Sequence, residues 1–268
     1  MPLELPSSLT PSKVASFKDC ALAFRFSAID RLPEPPSPWA AKGTLVHRAL
    51  ELLFWEEPPG RRTLDAALDR VERARVEVLA SDEYAALGLE GEAEAEFLAD
   101  ADQLVRRYFE LEDPNTVNPI GVELRLEVRL GTLRLRGIID RLDLDEDGEL
   151  VVTDYKTGKV PSVNFEQSRL GGVHFYAFLC EQVLGRRPAR IQLLYLSEPL
   201  AIVAHPSDQS IRGLQQRASA IWTAVERACE RDDFRPRPSR LCEWCAFQAY
   251  CPAFGGDPAQ AKELVAVS

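Results

Sequence analysis

No uninterrupted apolar run in this 268-residue chain approaches the roughly 20 residues that span a bilayer, which argues against a membrane-spanning helix. The N-terminal MPLELPSSLTPSK lacks the basic stretch and apolar run of a secretory signal, so a cytoplasmic location is expected. Internal repeats, low-complexity tracts and sustained heptads are missing too, which removes solenoids and coiled coils. Positive charge is in short supply. The 32 Lys and Arg against 42 Asp and Glu leave a net charge of −10, awkward for a phosphate-rich partner unless a basic groove is local. Six cysteines without a secretory signal do not make a disulfide scaffold; they point to thiols kept reduced or bound to metal.

What is present is enough apolar material for a core. Hydrophobic residues make up 46% of the chain, and its length fits one large domain or two small ones. Residues 12–29 are spaced as a helix capped by Ser12, and the four prolines of RLPEPPSP (31–38) end it. Helices are predicted over 40–57, where Leu45, Ala49, Leu52 and Leu53 stack on one side, and over 63–80 and 90–112. At Pro119 the period changes. VELRLEVRL (122–130) alternates as a strand, while LRLRGIIDRLDLD (133–145) and ELVVTDYKT (149–157) form a hairpin around the loop Glu146-Asp147-Gly148. A helix over 163–185, strands over 191–197 and 200–205, and a helix over 208–231 complete the order. That order is α+β or mixed α/β, not doubly wound. The tail beyond Pro252 is expected to be partly disordered.

The hairpin carries chemistry. In its register Asp145 faces Glu149 and Asp140 faces Asp154, and facing carboxylates cost energy unless a cation lies between them. The period of two puts Asp154 and Lys156 on one face and Tyr155 on the other. Two carboxylates with an ammonium two residues further on suit Mg²⁺, which keeps waters for substrate phosphates. The stretch DLDEDGELVVTD (143–154) also nearly fits a calcium loop, with acids at positions one, three, five and twelve and Gly148 at six. Its strand-like flanks, and Asp rather than Glu at position twelve, argue against that reading.

Together GTLVHRALE (43–51), GIIDRLD (137–143), TDYKTG (153–158), LGGVHFYAFL (170–179) and CEWCAFQAYC (242–251) with Cys20 resemble the PD-(D/E)XK nuclease superfamily. The likeness is to the RecB-like exonuclease branch, which includes the Cas4 and AddB nuclease domains. It implies a restriction-endonuclease-like core, a central mixed sheet flanked by helices, in one nuclease domain over residues 1–252. Within that domain it implies a helical part at 12–112, the nuclease core at 119–231 and a cysteine segment at 239–252. It further implies that His47, Asp140, Asp154 and the main-chain carbonyl of Tyr155 bind the metal, that Lys156 is the catalytic lysine and that Glu123 assists. Arg141 and Tyr176 match positions that contact substrate or organise the site. One departure stands out: the branch usually carries a glutamine four residues before its tyrosine, and here that place is Gly172.

Cys242, Cys245 and Cys251 form C-x₂-C-x₅-C, and Cys20 is the candidate fourth ligand. Four thiolates suit a [4Fe–4S] cluster or tetrahedral zinc, and spacing alone leaves both open; the resemblance favours iron. Cys180 and Cys229 sit in apolar helical patterns as small core residues. The expected function is a Mg²⁺- or Mn²⁺-dependent DNA exonuclease of repair, recombination or related DNA processing, with DNA and a helicase or other DNA-processing protein as partners. A strip of Arg134, Arg136, Arg141, Lys159 and Arg169 is expected to guide the substrate. The alternative, motivated by Gly172 and the acidic total, is a catalytically weak nucleic-acid-binding subunit of such a complex.

Overall fold

A computed structural model describes residues 3–160 and 163–265, with the side chains at 163–171 and 262–265 left outside that description. In chain order the elements are α1 (Pro11–Asp19), α2 (Ala21–Phe24) continued by a π-helical turn (Arg25–Ile29), α3 (Pro38–Glu56), α4 (Leu64–Leu79), α5 (Asp82–Ala85) and α6 (Glu92–Tyr108). Then come β1 (Asn118–Leu130), β2 (Leu133–Leu144), β3 (Leu150–Lys156), α7 (Val163–Leu184), β4 (Arg190–Tyr195), β5 (Leu200–Ala204), α8 (Asp208–Arg231) and α9 (Pro258–Val265). The five strands form one mixed sheet in the order β1-β2-β3-β4-β5. β3 pairs antiparallel with β2 and parallel with β4, the parallel step being bridged by α7.

The chain divides into two compact units. One comprises 36–126 and 138–208, the other 1–35, 127–137 and 209–268. In the 36–208 unit α3 starts where Ser37 accepts the Ala40 N–H at 3.3 Å and Pro38 takes the first turn, a place that needs no donor. Its apolar stripe, Leu45, Val46, Ala49, Leu50 and Leu53, packs against Val71 and Ala74 of α4 and Ala101, Leu104 and Val105 of α6. Tyr155 and Leu194 close that core from the sheet. The hairpin turn follows the expected register: Asp145 N–H bonds Glu149 O at 3.0 Å, and Gly148 takes a left-handed φ of 74°. Strands flank residues 143–154 on both sides, so the calcium-loop reading, which needs helices, is discarded.

The other unit departs from expectation at Cys20. Cys20 breaks the single helix expected over 12–29, taking an extended conformation (φ −159°, ψ 113°) while its sulfur accepts the Arg237 N–H at 3.5 Å. The tail beyond Pro252 forms a short 3₁₀ turn and α9, with Ala261 buried. Gly256 explains how the tail is held. Its N–H bonds Cys251 O at 3.0 Å, and any Cβ there would sit 2.2 Å from Ala249 O. Cys180 and Cys229 are buried in their helices, as expected of small core residues. Among the described residues no helix is long and apolar enough to cross a membrane.

Candidate active site

The 36–208 unit gathers His47, Glu123, Asp140, Asp154, Lys156 and Tyr176. Continuing the β2–β3 register from Arg141 opposite Thr153 puts Asp140 opposite Asp154, as the hairpin reading requires. Asp140 is 9% exposed and its Oδ2 accepts the Tyr155 N–H at 2.7 Å. Burial, then the neighbouring Asp154 carboxylate, push the Asp140 pKa up to about 8. Asp154 is ion-paired with the half-buried Lys156 on the same face of β3.

His47 projects from α3 toward this hairpin. The Tyr155 carbonyl can only accept, so at 3.1 Å it takes the proton of His47 Nε2 and leaves a lone pair on Nδ1. That Nδ1 lies 3.5 Å from Asp140 Oδ2 and 4.0 Å from Glu123 Oε1. Burial lowers the His47 pKa below its ordinary value, which favours the neutral ring that ligation needs. Glu123 reaches the group through an irregularity: it holds a left-handed φ of 46° inside β1, which breaks the strand's alternation and re-aims its side chain. Burial and then Asp140 raise its pKa.

Among the described residues, His47, Glu123 and Asp140 are the group of three potential metal ligands whose donor atoms lie within 4.8 Å of one another. Two donors each about 2.1 Å from one octahedral ion are separated by about 3.0 Å in cis and about 4.2 Å in trans. The separations of 3.5 and 4.0 Å lie between those two values, so adjustments of under about 1 Å bring the donors to a single hard cation. Asp154 stands beside this group, turned toward Lys156. Tyr176 of α7 is close enough to feel Asp154, Asp140 and Glu123; burial first, then these charges, hold its hydroxyl protonated as a donor.

Arg141 does not join them. Its neighbour in β2, Asp140, faces the site, so Arg141 faces the opposite side of the sheet, where it is 1% exposed. There it pairs with Glu112 and Asp143, donates to the Tyr155 hydroxyl at 2.8 Å and lies 4.5 Å above the Phe54 ring. A substrate contact by Arg141, as the resemblance suggested, is incompatible with that enclosure. Glu112, Tyr108 and Gln192, which complete the network, were not singled out from sequence; the strand alternation next to Asp140 was the available signal. A cavity of about 530 Å³ borders it, lined among others by Glu112, Asp143, Arg190 and Gln192.

Of the expected basic strip, Arg141 is enclosed behind the sheet. Arg134 and Arg136 belong to the other unit and pair there with Glu127, and the Arg169 side chain lies outside the described residues. That other unit holds the four cysteines. Burial pushes the Cys245 thiol up; the Phe247 N–H opposes this, and the Cys20, Cys242 and Cys251 sulfurs add to it, so the four are electrostatic neighbours.

Carboxylates, an imidazole and a lysine gathered at a strand hairpin are the donor types that metal-assisted phosphodiester chemistry uses. The chain belongs to the PD-(D/E)XK nuclease superfamily, whose sequence profile matches residues 8–252. It is 27% identical over 264 residues to the Gene 69 protein of Mycobacterium phage D29, covering 91% of this chain and 96% of that one. It is 28% identical over 136 residues to the Gene 69 protein of Mycobacterium phage L5, covering 50% and 44%. The fold is similar to the crystal structure of a candidate exonuclease from Eubacterium rectale, with a TM-score of 0.51 at 12% identity over 89% of this chain and 87% of that one.

Proposed function

We propose that the protein is a divalent-metal-dependent deoxyribonuclease that degrades DNA from its ends, with His47, Glu123, Asp140 and Asp154 around the metal and the Tyr155 carbonyl holding the far side of the His47 ring. The observation that carries the reading is the cation-sized convergence of His47 Nδ1, Glu123 and Asp140 beside the Asp154–Lys156 pair. Bound Mg²⁺ or Mn²⁺ supplies a water of lowered pKa and neutralises phosphate charge. Lys156 holds a positive charge where negative charge develops on the scissile phosphate. Tyr176 donates a hydrogen bond to a phosphate oxygen. Neutral His47 keeps its lone pair for ligation through the proton it commits to Tyr155 O.

The acidic total is less of an obstacle than the whole-chain figure suggests. Residues 1–35, 127–137 and 209–268 hold 15 Lys and Arg against 12 Asp and Glu, a net +3, while the other unit has 17 against 30, a net −13. The carboxylate excess thus belongs to the unit that carries the metal ligands.

Cys20, Cys242, Cys245 and Cys251 we assign to a [4Fe–4S] cluster of structural role. Four thiolates suit such a cluster, and the Cys20, Cys242 and Cys251 sulfurs are electrostatic neighbours of Cys245. Similarity to the RecB-like branch supports the same assignment and a helicase-associated role in DNA processing.

The test is an assay of anaerobically purified protein on end-labelled single- and double-stranded DNA with Mg²⁺ or Mn²⁺, beside Asp154→Ala and Lys156→Ala. Metal-dependent cleavage that falls about 100-fold or more in both variants is expected. Cleavage that persists in both would overturn the site; DNA binding without cleavage under either metal would favour the catalytically weak subunit that Gly172 suggests.

A further inference from the structure

The network behind the sheet has a feature that packing does not require. Tyr155 is one residue with two connections to the metal site: its N–H holds Asp140 Oδ2 at 2.7 Å and its C=O holds His47 Nε2 at 3.1 Å. Its side chain leaves through the opposite face, where the hydroxyl accepts Arg141 Nη1 at 2.8 Å. Arg141 is fixed in turn on every side. Nε donates to both Asp143 oxygens at 2.9 and 3.0 Å, Nη2 to Glu112 Oε2 at 3.1 Å and to Thr153 Oγ1 at 3.2 Å, and Nη1 to Tyr108 Oη at 3.3 Å. Phe54 covers the guanidinium plane, and Gln192 ties Thr153 at 2.9 Å to the Glu112 carboxylate at 3.3 Å.

We propose that Arg141 is a positioning residue of the metal centre: through the Tyr155 hydroxyl it fixes the main chain of residue 155, whose N–H and C=O aim Asp140 and His47 at one cation. This rests on the metal-site reading above. A buried ion network is poor evidence for stability, because well-packed apolar side chains of similar volume do as well or better. Its value lies in direction. A planar guanidinium with five donors in a fixed fork can hold Glu112, Asp143 and Tyr155 at set angles, which neither a lysine nor an apolar side chain can do. The shared main-chain segment makes the link mechanical: a shift of the Tyr155 peptide displaces a carboxylate and an imidazole together. Partners that orient metal ligands from behind commonly change metal affinity by 10- to 100-fold when lost.

Tyr155→Phe removes one oxygen and leaves the ring in the core, so it isolates the link. Mn²⁺ affinity is measured by calorimetry on the full chain, with kcat and KM on single-stranded DNA and the melting temperature measured in parallel. Val71→Ala, a cavity in the helical core remote from the network, is the stability control. Expected for Tyr155→Phe is a Mn²⁺ Kd about 10-fold weaker and kcat about 10-fold lower at unchanged KM for DNA, while Val71→Ala lowers the melting temperature and leaves the Kd alone. Arg141→Lys, which keeps the charge and loses the fork, weakens Mn²⁺ binding like Tyr155→Phe. Wild-type Mn²⁺ affinity in Tyr155→Phe, whatever its melting temperature, overturns the inference alone. A wild type that binds no Mn²⁺ overturns the metal site and the inference with it.

Discussion

Asp140→Asn is the perturbation with opposite effects on stability and activity. Without a cation, Asp140 is a buried carboxyl next to Asp154, and its pKa is pushed from 3.8 to about 8. At about 1.4 kcal/mol per unit such a shift has a ceiling of roughly 6 kcal/mol. Local relaxation and water entry absorb much of it, and about 2 kcal/mol is expected, within the range of single-site effects. The sign follows from linkage: an acid whose folded pKa is raised contributes stability below its unfolded pKa and loses it as pH climbs toward the folded value. Asparagine keeps an oxygen for the Tyr155 N–H and brings no charge, so it escapes that loss. In EDTA at pH 8 the variant should melt about 5 °C above wild type, the gap closing near pH 4. Adding Mn²⁺ should raise wild type and leave the variant unmoved, because only wild type binds the ion tightly. Thermal scans across pH, with and without Mn²⁺, read all of this. A gap that is absent at pH 8, or the same at every pH, would refute the reasoning.

Glu123→Gly should relieve roughly 1 kcal/mol of left-handed backbone cost, raising the melting temperature while weakening Mn²⁺ binding in calorimetry by about 10-fold or more. Gly256→Ala places a Cβ against the 249–251 main chain; about 2 kcal/mol of destabilisation is expected, with fewer metal atoms bound per chain by elemental analysis. Cys245→Ser in anaerobically purified protein should abolish the visible iron–sulfur absorbance, whereas Cys180→Ser should keep it.

Much of this was readable in the residues. The long helices and the strands fall close to the positions their periodicity predicts, because amphipathic spacing and capping are local properties. The hairpin register was readable for the same reason: Asp147-Gly148 dictates the turn, the turn dictates the pairing, and the pairing sets Asp140 opposite Asp154. What escaped depends on distant partners. The break at Cys20 answers to a sulfur contact 217 positions away, and although Glu123 was expected to assist, the left-handed backbone that brings it to the metal group is one no glutamate advertises. Arg141 was legible in part. Alternation places it behind Asp140, but its enclosure needs Glu112 from the segment after α6 and Phe54 from α3, which a strand pattern does not reveal.

Crystals soaked in Mn²⁺ and measured by anomalous scattering test the central claim most directly. One peak about 2.2 Å from His47 Nδ1 and from carboxylate oxygens of Glu123 and Asp140 is the predicted result. No peak at these donors, or manganese held instead by Glu112 and Asp143 behind the sheet, would contradict it.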